Sequence, residues 1–581
     1  MRRRYWGAWG ALLGLLAVDG GRAWAARVLH VDDDNGTPQQ TGSSSRPFKR
    51  IGAAIMAAAN GDTIRVAGGV YRENVAVSGK VLVLLGGFVG GTASSYGSGD
   101  GGDFSAREPD RYVKRIDGSA AAKAAVTLSD AGTTVLEGFA ISGGRGWTAE
   151  QYSYGGGVYV DGGSPTLRDN LVEGNKSRTA GGGIHLTDTH ATVADNVVRS
   201  NESEKGGGIS IDGGNVTLRN NVIRDNVAFG DHGGGLIASG PKLEIVGNRF
   251  VRNEVGRQPG YGWGGGLIVH AAGTTVHLAG NVVTENYAPS AGSGEFIDDG
   301  AEALIEHELI YRNRCPTDGG AGLYVDGLDE SGPGSKVTLV HVTVADHPCK
   351  LKLGDGLYVE HKSSAVIRNS IFAGQETDFF VDDSSTLEVE ATRTRAVQPG
   401  RGNLTADCLF ANAAGGDYRL RSKRGRWEQP PGAAPRWVRD TQHSPCIDAA
   451  AATAPFEREG APNGGRANLG FDGNTERASK SDDGSGGGAD GSVGAVLDGG
   501  LGPGGSWGDA RSGPGTVSDA GVHGSADAAG PRPTKSGCAL GAGERGPGAW
   551  ADTVWIAVTG FTLARRRQRR VAPIARESTS R

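Results

Sequence analysis

The chain has 581 residues, with 60 basic and 65 acidic side chains and a formal net charge of −5, which argues against nucleic-acid binding built on overall positive charge. Glycine supplies 100 of those residues, far above the usual share of about 7%. The glycines keep no strict triplet, which excludes collagen, and each interior glycine costs a helix about 1 kcal/mol relative to alanine, which excludes long helices. Hydrophobic content of 37% with only two Met suffices for a narrow core of Val, Ile, Leu and Ala.

Residues 1–25 read as a signal peptide: Arg2, Arg3 and Arg4 precede an apolar run from Trp6 to Val18, and Ala23-Trp24-Ala25 offers a small-x-small cleavage site. The run is too short for a membrane anchor. Export, to the cell surface, outer membrane or medium, is therefore expected. From Phe48 to Ala59 the pattern is a short amphipathic helix, with Phe48, Ile51, Ile55 and Ala58 on one face, placed to close the open end of a core.

A glycine triplet followed by an apolar residue then recurs, at Gly155, Gly181, Gly206, Gly233 and Gly264, with degenerate copies at Gly292, Gly320 and Gly354; the steps are 26, 25, 27, 31, 28, 28 and 34 residues. Each unit carries a second signature, Asn-x-apolar-x-x-Asn, running from Asn170 to Asn175, Asn196 to Asn201, Asn221 to Asn226, Asn248 to Asn253 and Asn281 to Asn286, with Glu308 to Asn313 as a partial copy. Between them apolar residues alternate; Ile209 and Ile211, then Val216 and Leu218, then Val222 are read as inward. Short alternating runs are strands, and three strands per unit cannot cover their own apolar side, so units must stack. The expected fold is all-β, a right-handed single-stranded parallel β-helix. Asn175, Asn201, Asn226, Asn253, Asn286 and Asn313 are expected to stack as a structural amide ladder.

The register also pairs cysteines. Cys315 and Cys349 each lie five residues before a repeat glycine, hence at one position on adjacent coils, about 5 Å apart and within disulfide range. Cys408 and Cys446 remain as the second pair.

From 481 to 537 the chain is Gly, Ala, Asp, Ser and Pro with few large apolar residues, a flexible linker. Residues 538–581 hold Cys538, an apolar stretch from Ala549 to Ala564 and the run Arg565-Arg566-Arg567-Gln568-Arg569-Arg570. Together these resemble the C-terminal surface-sorting tail of myxobacterial exported proteins, which implies processing near Cys538 and membrane association only through this tail.

The main body, 26–480, resembles the secreted pectin-lyase-like β-helix proteins. The resemblance rests on Val31-Asp32-Asp33-Asp34-Asn35-Gly36, Pro47-Phe48-Lys49-Arg50-Ile51 and Gly61-Asp62-Thr63-Ile64 at the start, and on Asp417-Tyr418-Arg419-Leu420, Ser444-Pro445-Cys446-Ile447-Asp448 and Asn468-Leu469-Gly470 at the distal end. It implies an N-terminal cap over 26–90, repeat coils over 126–395 and a terminal module over 400–480. It does not fix function, because this fold serves lyases, hydrolases, epimerases and inert binding proteins.

Chemistry can be sought by stacking. Polygalacturonase-like members carry Asn-Thr-Asp, Asp-Asp, Gly-His-Gly and Arg-Ile-Lys in order; here Asp298-Asp299 and Asp382-Asp383 lack the companion motifs. One column runs Asp161, Thr187, Asp212, Ser239, His270 and, with the sixth coil aligned on its Glu308–Asn313 segment, Asp299, Asp326 and Glu360. The sixth coil departs most, with Glu295 read as replacing the third glycine and Asp298 falling at an inward position. Asp298, Asp299, Glu295 and His270 are therefore the candidate catalytic residues, and Asp299 and Asp326 the candidate calcium ligands. A second column, just before the glycines, holds Tyr154, Lys205, His232, Trp263 and Asp318, with Tyr159 and His185 on outward strand positions nearby. Tyr154, Tyr159, His185, His232 and Trp263 are the candidate sugar-stacking residues. The reading is a monomeric surface protein that binds polysaccharide or cell-surface glycans without catalysis; the alternative is a lyase or hydrolase of acidic polysaccharide using the sixth-coil carboxylates.

Overall fold

One coil shows how the sequence builds the molecule. Ile184–Thr189, Thr192–Ala194 and Val197–Arg199 are three strands separated by tight corners. Each pairs in parallel with its equivalent in the next coil, as Ile184 with Ile209, Val193 with Leu218 and Val198 with Ile223. Repetition makes three long parallel sheets. The first runs from Val75–Ser78 to Phe379–Val381, the second from Val28–Val31 to Thr386–Glu390, and the third has eleven strands from Gly69–Tyr71 to Ile371–Ala373. This computed structural model describes residues 26–482, apart from 110–113, 150–151, 257–260, 329–331, 350–353 and 431. The expected signal peptide, the expected sorting tail with Cys538, and all but the first two residues of the expected linker lie outside the described residues.

Inward side chains of successive coils form columns. Leu186, Ile211, Ala238, Val269, Ile297 and Val325 line the first sheet, and Val172, Val198, Ile223, Phe250, Val283 and Ile310 the third, all buried in one continuous core. Each Val, Leu, Ile or Phe among them contributes about 1.5–3 kcal/mol by leaving water. The inward residue of the third strand is Ile223, not Val222, because the chain enters that strand directly from a corner asparagine and its middle residue points in.

The asparagines form two ladders, not one. The first joins Asn170, Asn196, Asn221, Asn248 and Asn281, the second Asn175, Asn201, Asn226, Asn253, Asn286 and Asn313. Within the second, the Asn201 backbone N–H and side-chain amide donate to Asn226 Oδ1 at 3.0 and 3.1 Å, while Asn226 Nδ2 donates to Val198 O at 3.0 Å. Each ladder residue follows one in left-handed backbone, such as Asp195 (φ 57°) before Asn196 and Asp225 (φ 55°) before Asn226. A left-handed residue turns the chain sharply and strands polar backbone groups, which the next asparagine satisfies. The Asn-x-apolar-x-x-Asn spacing is thus one strand with a fixed corner at each end.

The helix is Ile51–Ala57, with Ile51, Ala54 and Ile55 buried. Glu73 accepts the N–H groups of Ile51 and Gly52 at 2.7 and 3.0 Å, and Lys80 donates to the carbonyls of Ile55 and Ala58 at 2.8 and 2.9 Å. Opposite charges therefore hold its two ends. Strands within 26–90 already belong to the sheets. At the far end, residues 404–482 pack as hairpins and turns around Cys408, Leu420, Cys446, Ile447 and Leu469 against Ile371 and Ala373.

Both expected disulfides form, Cys315–Cys349 as the register requires and Cys408–Cys446 as the remaining pair. Cys315–Cys349 has a Cα separation of 5.3 Å and Cys408–Cys446 one of 5.2 Å. Non-reducing peptide mapping is expected to return these two linkages. Replacing Cys315 and Cys349 by serine together is expected to lower stability by about 2–4 kcal/mol, the effect of releasing a loop of that size; unchanged denaturation would contradict it.

Candidate functional site

The outer surface of the first sheet carries three parallel columns. The outward strand column reads Tyr159, His185, Ser210, Ile237, Ile268, Phe296, Tyr324, Tyr358 and Phe380. The column before the glycines reads Tyr154, Ala180, Lys205, His232, Trp263, Ala291 and Gly319. Gly319, and not Asp318, occupies the last place.

The third column follows the strands and forms a polar rim. Asp298 N donates to Val269 O, Asp326 N to Ile297 O, Glu360 N to Val325 O and Asp382 N to Val359 O, each at 2.9–3.1 Å. The rim therefore runs Asp161, Thr187, Asp212, Ser239, His270, Asp298, Asp326, Glu360 and Asp382. This corrects the sixth-coil alignment by one residue: Asp298, not Asp299, stands beside Asp326. Asp299 lies one step further round, at a left-handed corner (φ 57°) before Gly300. Gly294 keeps the third-glycine place, and Glu295 replaces the inward leucine of Leu267 and Leu323. At 0% exposure Glu295 is a core residue, turned away from the rim. The four candidate catalytic residues are thus not brought together: His270 and Asp298 are rim neighbours, Asp299 is off the column and Glu295 is inside.

The candidate sugar-stacking residues separate likewise. Tyr159 and His185 are 6% and 5% exposed, so they do not present open faces. The first glycine of these triplets folds over the outward residue four places on; a Cβ on Gly181 would lie 2.8 Å from His185 Cβ, and one on Gly155 2.9 Å from Tyr159 Cβ. Tyr154 adds a second cover, its ring 4.9 Å from His185. Burial lowers the His185 pKa to about 4 and raises that of Tyr159 to about 12. His232 and Trp263 do stack, 5.1 Å apart, with Tyr261 edge-on to Trp263 at 4.8 Å.

The strongest cluster lies further along, where the rim column of Asp326 and Glu360 meets outward aromatics that the sequence columns omit. Tyr324, Tyr358 and Phe380 stack in succession, with ring centroids 4.6 and 4.3 Å apart. Phe380 is 36% exposed at the open end of the stack. Beside them, Tyr324 donates to Glu360 Oε1 at 2.5 Å, and His361 Nδ1 meets Asp326 Oδ1 at 2.7 Å. His361 and Lys362 both take left-handed backbone (φ 53° and 61°), which returns the imidazole over the preceding coil. Burial raises Asp326 to about 6 against the opposing bond to His361. Burial alone would lower His361, but its bond to Asp326 and the charges of Asp326, Glu360 and Asp382 raise it. His270, by contrast, is lowered by burial to about 4.

Asp326, Glu360 and His361 each offer one ligand atom, all within 4.8 Å of one another. Calcium prefers an all-oxygen shell, so this set does not fit the calcium expected at Asp299 and Asp326; two carboxylates and an imidazole suit a borderline transition ion. Clefts of about 390 Å³ beside Val366, Leu387 and Pro399, and about 420 Å³ beside Lys49, Arg50 and Arg72, contain no residue of this surface.

The fold defines a right-handed parallel β-helix protein. The family described as "Right handed beta helix region" matches residues 112–283, and that described as "Disaggregatase related" matches residues 365–450. No curated protein matches the chain. Solved structures similar to it include the pectate lyase Pel9A, at 13% identity with a TM-score of 0.41, covering 77% of this chain and 96% of that one. Others are XylC in complex with xylose, at 10% identity and a TM-score of 0.37, covering 66% of this chain and 87% of that one, and the catalytic unit of an α-1,3-glucanase from Streptomyces thermodiastaticus, at 15% identity and a TM-score of 0.35, covering 68% and 71%. These likenesses concern the fold alone.

Proposed function

We propose that this chain is an exported, surface-attached β-helix protein that binds glycans without cleaving them, along the flank where the Tyr358–Phe380 stack borders the rim. The observation that carries this reading is the exposed aromatic end at Phe380 beside Asp326, Glu360 and His361. A flat aromatic surface suits the apolar face of a sugar ring, and adjacent carboxylates accept its hydroxyl hydrogens. The acidic rim favours neutral glycans, since a polyuronate would meet like charge. The two disulfides support export to an oxidising compartment, in keeping with the sequence patterns at residues 1–25 and 538–581.

Affinity electrophoresis of the full-length chain in gels of neutral and uronate polysaccharides tests the reading. Tyr358→Ala and Phe380→Ala are each expected to weaken retardation in a neutral polymer about tenfold, or roughly 1.4 kcal/mol. Retardation by no polysaccharide, or variants that bind like wild type, would sink it. The second reading, glycosidic cleavage, is favoured by the proximity of Glu360 to Asp326, whose carboxyl is raised to about 6 and so suited to donate a proton. Release of reducing ends, abolished by Asp326→Asn and Glu360→Gln, would establish that reading instead.

A further inference from the structure

The sixth coil departs from the repeat at two interior places at once. Glu295 stands in the column of Leu267 and Leu323. Glu308 stands at the end of the first asparagine ladder, where it accepts the Asn281 side-chain amide. The next coil offers Val342 at that level, so the ladder has no further amide to continue it. Both glutamates are 0% exposed.

Their surroundings supply almost no donors. Asn281 satisfies one oxygen of Glu308; the other oxygen of Glu308 and both oxygens of Glu295 meet no amide, hydroxyl or cationic donor among the described residues. What each does meet is the other carboxyl, at hydrogen-bonding range. Two oxygens can share a hydrogen bond only if one carries a proton, and two carboxylates in contact inside an apolar core repel strongly. Two core substitutions that would each be costly alone become compatible when they occur together.

We infer that Glu295 and Glu308 form one buried carboxyl–carboxylate unit that shares a proton at neutral pH, and that loss of this proton loosens the sixth coil. The unit is the interior analogue of two acids sharing a site. Leu267 and Leu323 flank Glu295, and Asn281 and Val342 flank Glu308, none of them titratable. Outside the core, His277 on the second sheet, held between Glu244 and Glu306 at 3.0 and 2.9 Å, is a titratable side chain whose field reaches Glu308. Burial, then mutual repulsion, raises Glu295; burial raises Glu308, against its hydrogen bonds.

The sign follows. The unfolded chain releases these protons near the ordinary glutamate value, whereas the folded pair retains one well above it. Over that interval the native state binds more protons, so stability falls as pH rises, by up to tenfold in the unfolding constant per pH unit for each retained proton. The same coil carries Asp298 on its rim, so its opening would disturb the outer surface too, although the inference does not depend on what that surface binds.

The test uses the full-length chain. An infrared band from a protonated carboxyl is expected at pH 7, lost on alkalinisation and absent in Glu295→Leu. Hydrogen exchange read by mass spectrometry is expected to show peptides over 295–313 losing protection between pH 7 and 9 beyond the intrinsic rate increase, by up to tenfold per pH unit. The double variant Glu295→Leu with Glu308→Asn restores the repeat's own residues and is expected to lack that excess. Should the double variant fail to fold, the isosteric Glu295→Gln, in which an amide replaces the shared proton, is expected to lose the same band, which separates the pair from Asp326 and Glu459, whose carboxyls are raised to about 6 and about 7. No protonated-carboxyl band at pH 7, or equal excess exchange in wild type and double variant, would overturn the inference. So would protection that follows added sodium or calcium rather than pH.

Discussion

Alanine at Gly207 is expected to destabilise the solenoid by at least about 3 kcal/mol, or to abolish soluble expression, because the clash is with backbone. A Cβ there would lie 2.4 Å from the Val227 carbonyl carbon, 2.5 Å from its oxygen and 2.7 Å from Gly234 O. No rotamer change relieves contacts of that kind. The same conflict recurs for the middle glycine of other triplets, as at Gly182 against Gly207 O at 2.5 Å and Gly234 against Gly265 O at 2.5 Å. Gly280 is the matched control: it is left-handed (φ 62°) but has nothing within 4 Å of a Cβ. Gly280→Ala should cost only the left-handed penalty, about 1–2 kcal/mol. Equal denaturation midpoints for the two variants would show that close approach does not dictate the middle glycine.

Leucine at Asn226 is expected to cost about 4 kcal/mol or more. The asparagine is buried, and its removal deprives the Asn201 backbone N–H, one Asn201 amide hydrogen and the Val198 carbonyl of partners at 3.0–3.1 Å. Each orphaned buried group carries a penalty of about 1–3 kcal/mol, which the gain in apolar burial offsets only in part. Chemical denaturation showing a loss below 1 kcal/mol would mean that water replaces the amide and that the ladder is dispensable.

These two positions also mark how far the sequence alone could be read. The glycine and asparagine signatures recur because each is imposed by backbone atoms of the adjacent coil, so the coil architecture, the second ladder and both disulfides were legible. Side chains whose role depends on a one-residue register were not. The Glu308–Asn313 segment was a sound anchor, yet counting back from it through the turn at Asp299 and Gly300 displaced the rim by one and exchanged Asp298 for Asp299. Glu295 looked like a functional departure because an acid in a glycine-rich motif suggests a surface site; the pairing of Leu267 and Leu323 on either side places it in the core instead. Tyr159 and His185 were rightly read as outward, but outward is not exposed when a glycine corner crosses above them. The Tyr324–Tyr358–Phe380 stack could have been found by extending the outward column past the fifth triplet, where glycine signals degrade but strand spacing persists.

The fixed corners on either side of the third-sheet strands have a consequence for how this scaffold can change. That segment keeps one length from Asn170–Asn175 to Asn281–Asn286, whereas chain is added elsewhere: Asn253 to Gly264 spans more residues than Asn201 to Gly206, and Asp326 to Leu339 more than Asp212 to Leu218. Insertions and deletions there leave the hydrogen-bonded spine untouched, so the chain can vary in length at these points while the rod they interrupt stays under strict constraint.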